Sequence, residues 1–183
     1  MRKWLSLTLA LVLMMSCMLA APASAITASD LRTQLNNEAS GLSTGNKCPQ
    51  QPTVYCAPRY QDLGAQPQNL KRGLSASQID SDQSGREYGL YFKFTPRGKN
   101  QTYLIERFDV TIHDSKGNLV YVEGFDATMQ CQPRYYWYWN FFNLAGLFEN
   151  LKTLNGSITP GKYVMNIYFN RLWAGKTNFT IKK

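Results

Sequence analysis

The densest chemical signal in this 183-residue chain is the run Tyr135, Tyr136, Trp137, Tyr138, Trp139, Phe141 and Phe142. Drawn out as a strand, the run sends Tyr135, Trp137, Trp139 and Phe141 to one face and Tyr136, Tyr138 and Phe142 to the other. One face can fill a core. The other then offers rings with polar tips, suited to flat or partly apolar ligands such as sugars, or to protein partners. The plainer reading covers both faces, because large aromatic residues mostly build cores. Trp173, read as part of a turn between the last two strands, poses the same choice. Tyr136, Tyr138 and Trp173 are the candidate binding residues.

Acid–base and metal chemistry find less support. His113 is the only histidine. Paired with Cys131 it would make a thiol–imidazole dyad, but that chemistry needs the base within hydrogen-bond reach, and nothing in the spacing brings the two together. Glu106, Asp109, Asp114, Glu123 and Asp126 are read onto one central hairpin, where two carboxylates could serve as glycosidase acid and base, or ligate calcium. A hydrolase would need Glu106, Asp109 and Glu123 to line one cleft. The Asp-x-Asp density of a calcium loop is missing, Asp80-Ser81-Asp82 being the nearest approach. One histidine and no Cys-x-x-Cys leave no metal-ligand spacing. The reading is non-enzymatic, with no cofactor.

The first 25 residues read as a secretion signal. Arg2 and Lys3 precede an apolar stretch from Leu5 to Leu19, and Ala23-Ser24-Ala25 supplies small residues for cleavage. Met14-Met15-Ser16-Cys17 loosely resembles a lipobox, whose use would lipidate Cys17; the Ala-Ser-Ala site fits better. Cleavage after Ala25 leaves 158 residues, one domain's worth. Two of the twenty basic residues leave with the signal, so eighteen face twelve acidic ones, a net charge of +6. A basic exported protein is soluble and suited to a surface protein, a wall polymer or a glycan. No block of like charge marks a nucleic-acid stripe, and no transmembrane segment remains after the signal. Oxidising conditions favour pairing of the remaining cysteines. Three pairings are open, and sequence does not choose among them; Cys48 and Cys56, eight apart among prolines, are the candidate disulfide, which would leave Cys131 over.

Residues 26–87 are rich in Gln, Asn, Ser, Gly and Pro. A short helix opened by Thr27-Ala28-Ser29-Asp30-Leu31 and running through Ala39, with Leu31 and Leu35 four apart and Ser29 as cap, and at most one short strand around Thr53–Cys56 are expected there. The rest reads as a loop-rich extension that drapes over, or hangs from, a domain at 88–183. In that domain Tyr88, Leu90, Phe92 and Phe94 alternate. Phe108, Val110 and Ile112 alternate against Arg107, Asp109, Thr111 and His113. Asp114-Ser115-Lys116-Gly117-Asn118 marks a hairpin turn into a strand from Leu119 to Met129. Leu144, Leu147, Phe148, Leu151 and Leu154 fall on helical spacing, with Gly156 as a stop. Tyr163, Met165, Ile167 and Phe169 then share a strand face, Asn170–Lys176 turns, and Lys176–Lys183 closes the fold.

Short antiparallel strands separated by turns predict an all-β, antiparallel sandwich with one short crossover helix. Ile158-Thr159-Pro160-Gly161-Lys162-Tyr163, the alternating strand after it and the closing Phe179-Thr180-Ile181 resemble the final hairpin of bacterial immunoglobulin-like and fibronectin type III-like domains. The Phe108–Val122 hairpin resembles their middle strands. The likeness covers the C-terminal half and lacks the antibody Cys–Trp–Cys spacing. It implies a secreted or cell-surface adhesive or ligand-binding module and transfers no active site.

Overall fold

The computed structural model describes residues 25–48, 53–62, 74–82, 86–95, 102–131 and 137–183. The expected signal at 1–25 lies outside them except for Ala25, as do Cys17 and Tyr136. Helix α1 (Ala28–Glu38) opens the described chain. Thr27, not Ser29, caps it: the Thr27 hydroxyl accepts from the Asp30 amide at 3.2 Å, completing a capping box. Its apolar stripe, Leu31 and Leu35, is buried, and the helix packs against strand β6 (Leu119–Cys131) and helix α3 (Ala145–Asn155).

The polar segment 26–87, expected as a loop-rich extension, supplies three strands to the sheets. Strand β1 (Ser43–Lys47) and the two-residue β3 (Leu74–Ser75) both pair in parallel with β9 (Leu172–Lys182), at its two ends. Strand β2 (Thr53–Asp62) pairs antiparallel with β4 (Arg86–Thr95) along its whole length. Edge strands need only backbone hydrogen bonds, so β1 can have all five side chains exposed and still belong to the fold. Helix α2 (Ala76–Ser81) follows β3.

Two sheets result. The larger has the order β1-β9-β8-β5-β6, where β5 is Tyr103–His113 and β8 is Gly161–Phe169, with β3 also on β9; the smaller is β2-β4-β7, where β7 is Trp137–Asn143. The larger sheet is mixed, not purely antiparallel as expected, because β1 and β3 run with β9. Helix α3 carries the chain from the small sheet to the large one. Leu144, Leu147, Phe148 and Leu151 are buried there, the Asn143 side-chain oxygen accepts from the Ala145 amide at 2.8 Å, and Gly156 ends the helix at φ 77.

One hydrophobic cluster joins both sheets and α3: Leu90 and Phe142 from the small sheet meet Phe108, Val110, Ile112, Met165 and Ile167 from the large one. Tyr121 and Phe142 meet edge-on across the gap at 6.3 Å between ring centroids. Within the large sheet, Phe125, Phe108 and Phe169 form a row of register partners on β6, β5 and β8, with centroids 5.0 and 5.8 Å apart. Phe108 and Phe169 are fully buried and Phe125 half-buried; full burial of such a ring is worth about 1.5–3 kcal/mol.

The β5–β6 hairpin forms where its turn residues place it. Asp114 Oδ1 accepts from the Lys116 and Asn118 amides at 2.8 and 2.9 Å, and Oδ2 accepts from Asn118 Nδ2 at 2.9 Å. The β8–β9 connection is tighter than the expected Asn170–Lys176 turn. Only Asn170 and Arg171 link the strands, both at positive φ (50 and 65), and β9 starts at Leu172. Trp173 therefore sits in a strand.

Candidate functional site

Alternation along the large sheet separates a core face from an outer face. On β5, Arg107, Asp109, Thr111 and His113 take the outer face, as do Lys162, Val164, Asn166 and Tyr168 on β8, whose register partners are Thr180, Asn178, Lys176 and Trp173 on β9. The sequence marks these faces but not which strands adjoin. Register puts His113 opposite Val164 and Thr111 opposite Asn166.

A cleft of about 660 Å³ opens at the hairpin end of this face, lined by His113, Asp114, Lys162, Asn166, Asn178 and Thr180 among others. Four elements build it: the end of β5, the turn after it, β8 and β9. His113 is half-buried, and its Nδ1 is buried without a hydrogen-bond partner. Burial pushes its imidazole below the ordinary value, the Asp114 charge acting weakly against it, so the ring is neutral at pH 7. Burial alone would raise Asp114, but the Asn118 and Lys116 hydrogen bonds, together with the Lys116 charge, outweigh it and hold this carboxyl below its ordinary range. Asn166 Oδ1 accepts from Trp173 Nε1 at 3.4 Å, which fixes the amide by one end.

Farther along the same face lies an ion-paired cluster. Arg107 Nε donates to Asp109 Oδ1 at 2.9 Å, and Arg107 Nη1 lies 3.4 Å from Asp126 Oδ1. Asp109 is 4 % exposed, its Oδ2 has no partner, and the Thr111 hydroxyl beside it is buried in the same condition. Gly124, the register partner of Asp109, makes room for the pair: a Cβ there would stand 2.3 Å from Asp109 Oδ1 and 2.4 Å from Arg107 Nη2.

The residues singled out from sequence are scattered. Tyr138 sits on β7 with Lys93 as its register partner. Trp173 is half-buried, and its carbonyl accepts from the Cys48 amide at 2.8 Å, so it is no turn-borne platform. Cys48 is a free, buried thiol at the end of β1, not half of the expected disulfide, while Cys56 lies on β2 opposite Phe92. His113 and Cys131 occupy opposite ends of the β5–β6 ladder, roughly 30 Å apart at strand rise, so no dyad forms. Asp109 pairs with Gly124 on the outer face, whereas Glu123 pairs with Val110 on the core side and accepts from the Tyr121 hydroxyl at 2.7 Å. The three hydrolase carboxylates therefore do not share a cleft. Lys162, Asn166, Asn178 and Thr180 were not candidates. Their alternation with Tyr163, Met165, Ile167 and Phe179 was the available signal, but the neighbouring strand was not legible.

No family model matches the chain, and no curated protein does. Solved structures similar to it include the alkylpurine DNA glycosylase AlkC of Pseudomonas fluorescens, bound to DNA containing an abasic-site analogue. The identity is 12 % and the TM-score 0.31, over 53 % of this chain and 26 % of that one. Another is the ApaA protein of Bordetella pertussis, at 12 % identity and TM-score 0.34, over 74 % of this chain and 97 % of that one. The chain thus spans about a quarter of the glycosylase. Likeness at this level transfers neither site nor activity. Immunoglobulin-like or fibronectin type III-like domains were expected, but the similar solved structures are a DNA glycosylase and ApaA; the adhesive role that resemblance implied is withdrawn, and with it the carbohydrate-binding role read from the aromatic residues. Among the described residues no group of three or more His, Cys, Asp and Glu side chains is placed to hold a metal ion, and no helix is long and apolar enough to cross a membrane.

Proposed function

We propose that the protein receives a small polar molecule in the cleft between the β5–β6 turn and the outer face of β8–β9, and that it does so outside the cytoplasm after losing residues 1–25. One observation carries the reading: a concavity of about 660 Å³ into which a neutral, half-buried histidine and polar side chains from separate strands converge. Polar groups that converge in a well-formed concavity are a common mark of a ligand site. The export half of the reading is supported by the basic start, apolar stretch and Ala-Ser-Ala pattern of the sequence.

Amide NMR with a library of small polar compounds tests the cleft. Saturable shifts at His113, Asn166 and Asn178, lost when Val164→Phe fills the floor, are expected. A library that moves no signal, or that moves only residues elsewhere, defeats the reading. The amino-terminal residue of the exported protein tests the rest, and an intact Met1 would defeat it.

A further inference from the structure

Resting on that cleft reading, we propose that its ligand carries a small oxyanion, a carboxylate or a phosphate, received by the Nε2–H of His113 and the Nζ of Lys162. The argument follows from which polar atoms of the lining are already committed. Asp114 is the only acid named among the lining residues, and both of its oxygens are occupied by its own turn: two backbone amides on Oδ1 and Asn118 Nδ2 on Oδ2. Asn166 spends its Oδ1 on Trp173 Nε1, which leaves the NH2 end for the cleft. Lys162 is exposed and makes no ion pair among the described residues. Asp114 and the Asn166 oxygen are thus engaged within the fold, while Lys162 Nζ and the Asn166 NH2 remain to donate.

His113 follows the same logic. Its Nδ1 is buried with no partner. A buried N–H without an acceptor is the costlier orphan, whereas an unused lone pair is tolerated more often. The favoured neutral tautomer therefore keeps the proton on Nε2, and a ring that lines the cleft offers a donor there. A charged acceptor facing an N–H, an ammonium and an amide NH2 gains charge-assisted hydrogen bonds that a neutral ligand does not. The two oxyanion sources share this chemistry and differ in size, so both enter the test.

The experiment follows the His113 ring nitrogens and the cleft amides by NMR in the full-length protein. Acetate, inorganic phosphate and the neutral analogue acetamide are titrated separately at constant ionic strength. Before any addition the ring should show the Nε2–H tautomer; a dominant Nδ1–H tautomer overturns the proposal. Acetate or phosphate should produce saturable shifts at His113 and Asn166. Lys162→Met, an exposed substitution that spares the fold, should weaken them about tenfold, the loss of one charge-assisted contact. Acetamide binding as well as acetate would sink the oxyanion assignment and leave the cleft reading standing. Silence from all three defeats the oxyanion proposal; a response of the same cleft to other polar compounds would keep the broader reading alive.

Discussion

Asn170 clamps the backbone of β5 at Glu106. Its Oδ1 accepts from the Glu106 and Arg107 amides at 2.8 and 3.0 Å, and its Nδ2 donates to the Leu104 carbonyl at 2.8 Å. The side chain thus continues the β8 ladder past Phe169, beside the point where β5 slips register against β6. The same residue holds the left-handed φ of 50 that the two-residue turn requires, a conformation that asparagine adopts more easily than most residues.

Asn170→Ala should destabilise the fold by about 1–2 kcal/mol, losing the clamp and adding left-handed strain. Asn170→Gly removes the strain but not the loss, so it should fall between wild type and alanine. Urea denaturation of the three proteins decides this, and an alanine variant as stable as wild type would show that water replaces the clamp.

Gly124→Ala should cost about 1–3 kcal/mol, the usual range for overpacking, because the new methyl would meet Asp109 and Arg107. Asp109 cannot step aside into solvent, since it is buried beneath Arg107. In an Asp109→Ala background the same change should cost clearly less, a non-additivity that a double-mutant cycle measures. Equal costs in both backgrounds would mean the ion pair moves freely.

Acid should weaken the protein in two separate windows. The His113 value is depressed in the folded state, so stability is intact above the unfolded value near 6.5 and is lost as pH falls through the folded value, where it levels off. Asp114 is also depressed, and its contribution is lost only below about 3.8. Denaturation midpoints at pH 7.5, 6 and 5 should therefore decline in wild type and stay nearly flat in His113→Gln. A variant that declines as steeply as wild type would place the first window elsewhere.

Cys48 should resist iodoacetamide in the native protein and react after unfolding, because it is 1 % exposed and packs within the core cluster. Peptide mass mapping before and after urea reads this directly. A native Cys48–Cys56 crosslink in the purified protein would contradict the free thiol.

Some of this was legible from residue order alone. The Asp114–Asn118 turn, the Leu144–Leu154 stripe with its Gly156 stop, and the buried row Tyr163, Met165, Ile167 and Phe169 each report on a single element. Turn chemistry and periodicity act within a few residues, so sequence exposes them. The polar and apolar faces of β5 were readable for the same reason.

Partnership was decided by the tertiary structure. Nothing in Ser43–Lys47 or Leu74–Ser75 announces that both lie parallel to β9, because edge pairing is made by backbone groups that every residue carries. The exposed and polar Thr180 meets the half-buried His113 in one cleft only after β9, β8 and β5 come into register. Sequence therefore settled which residues of β5 and β8 share a face, through the two-residue repeat of their side chains. Only folding decided which strand stands beside each, because that choice rests on long-range contacts that no local pattern encodes.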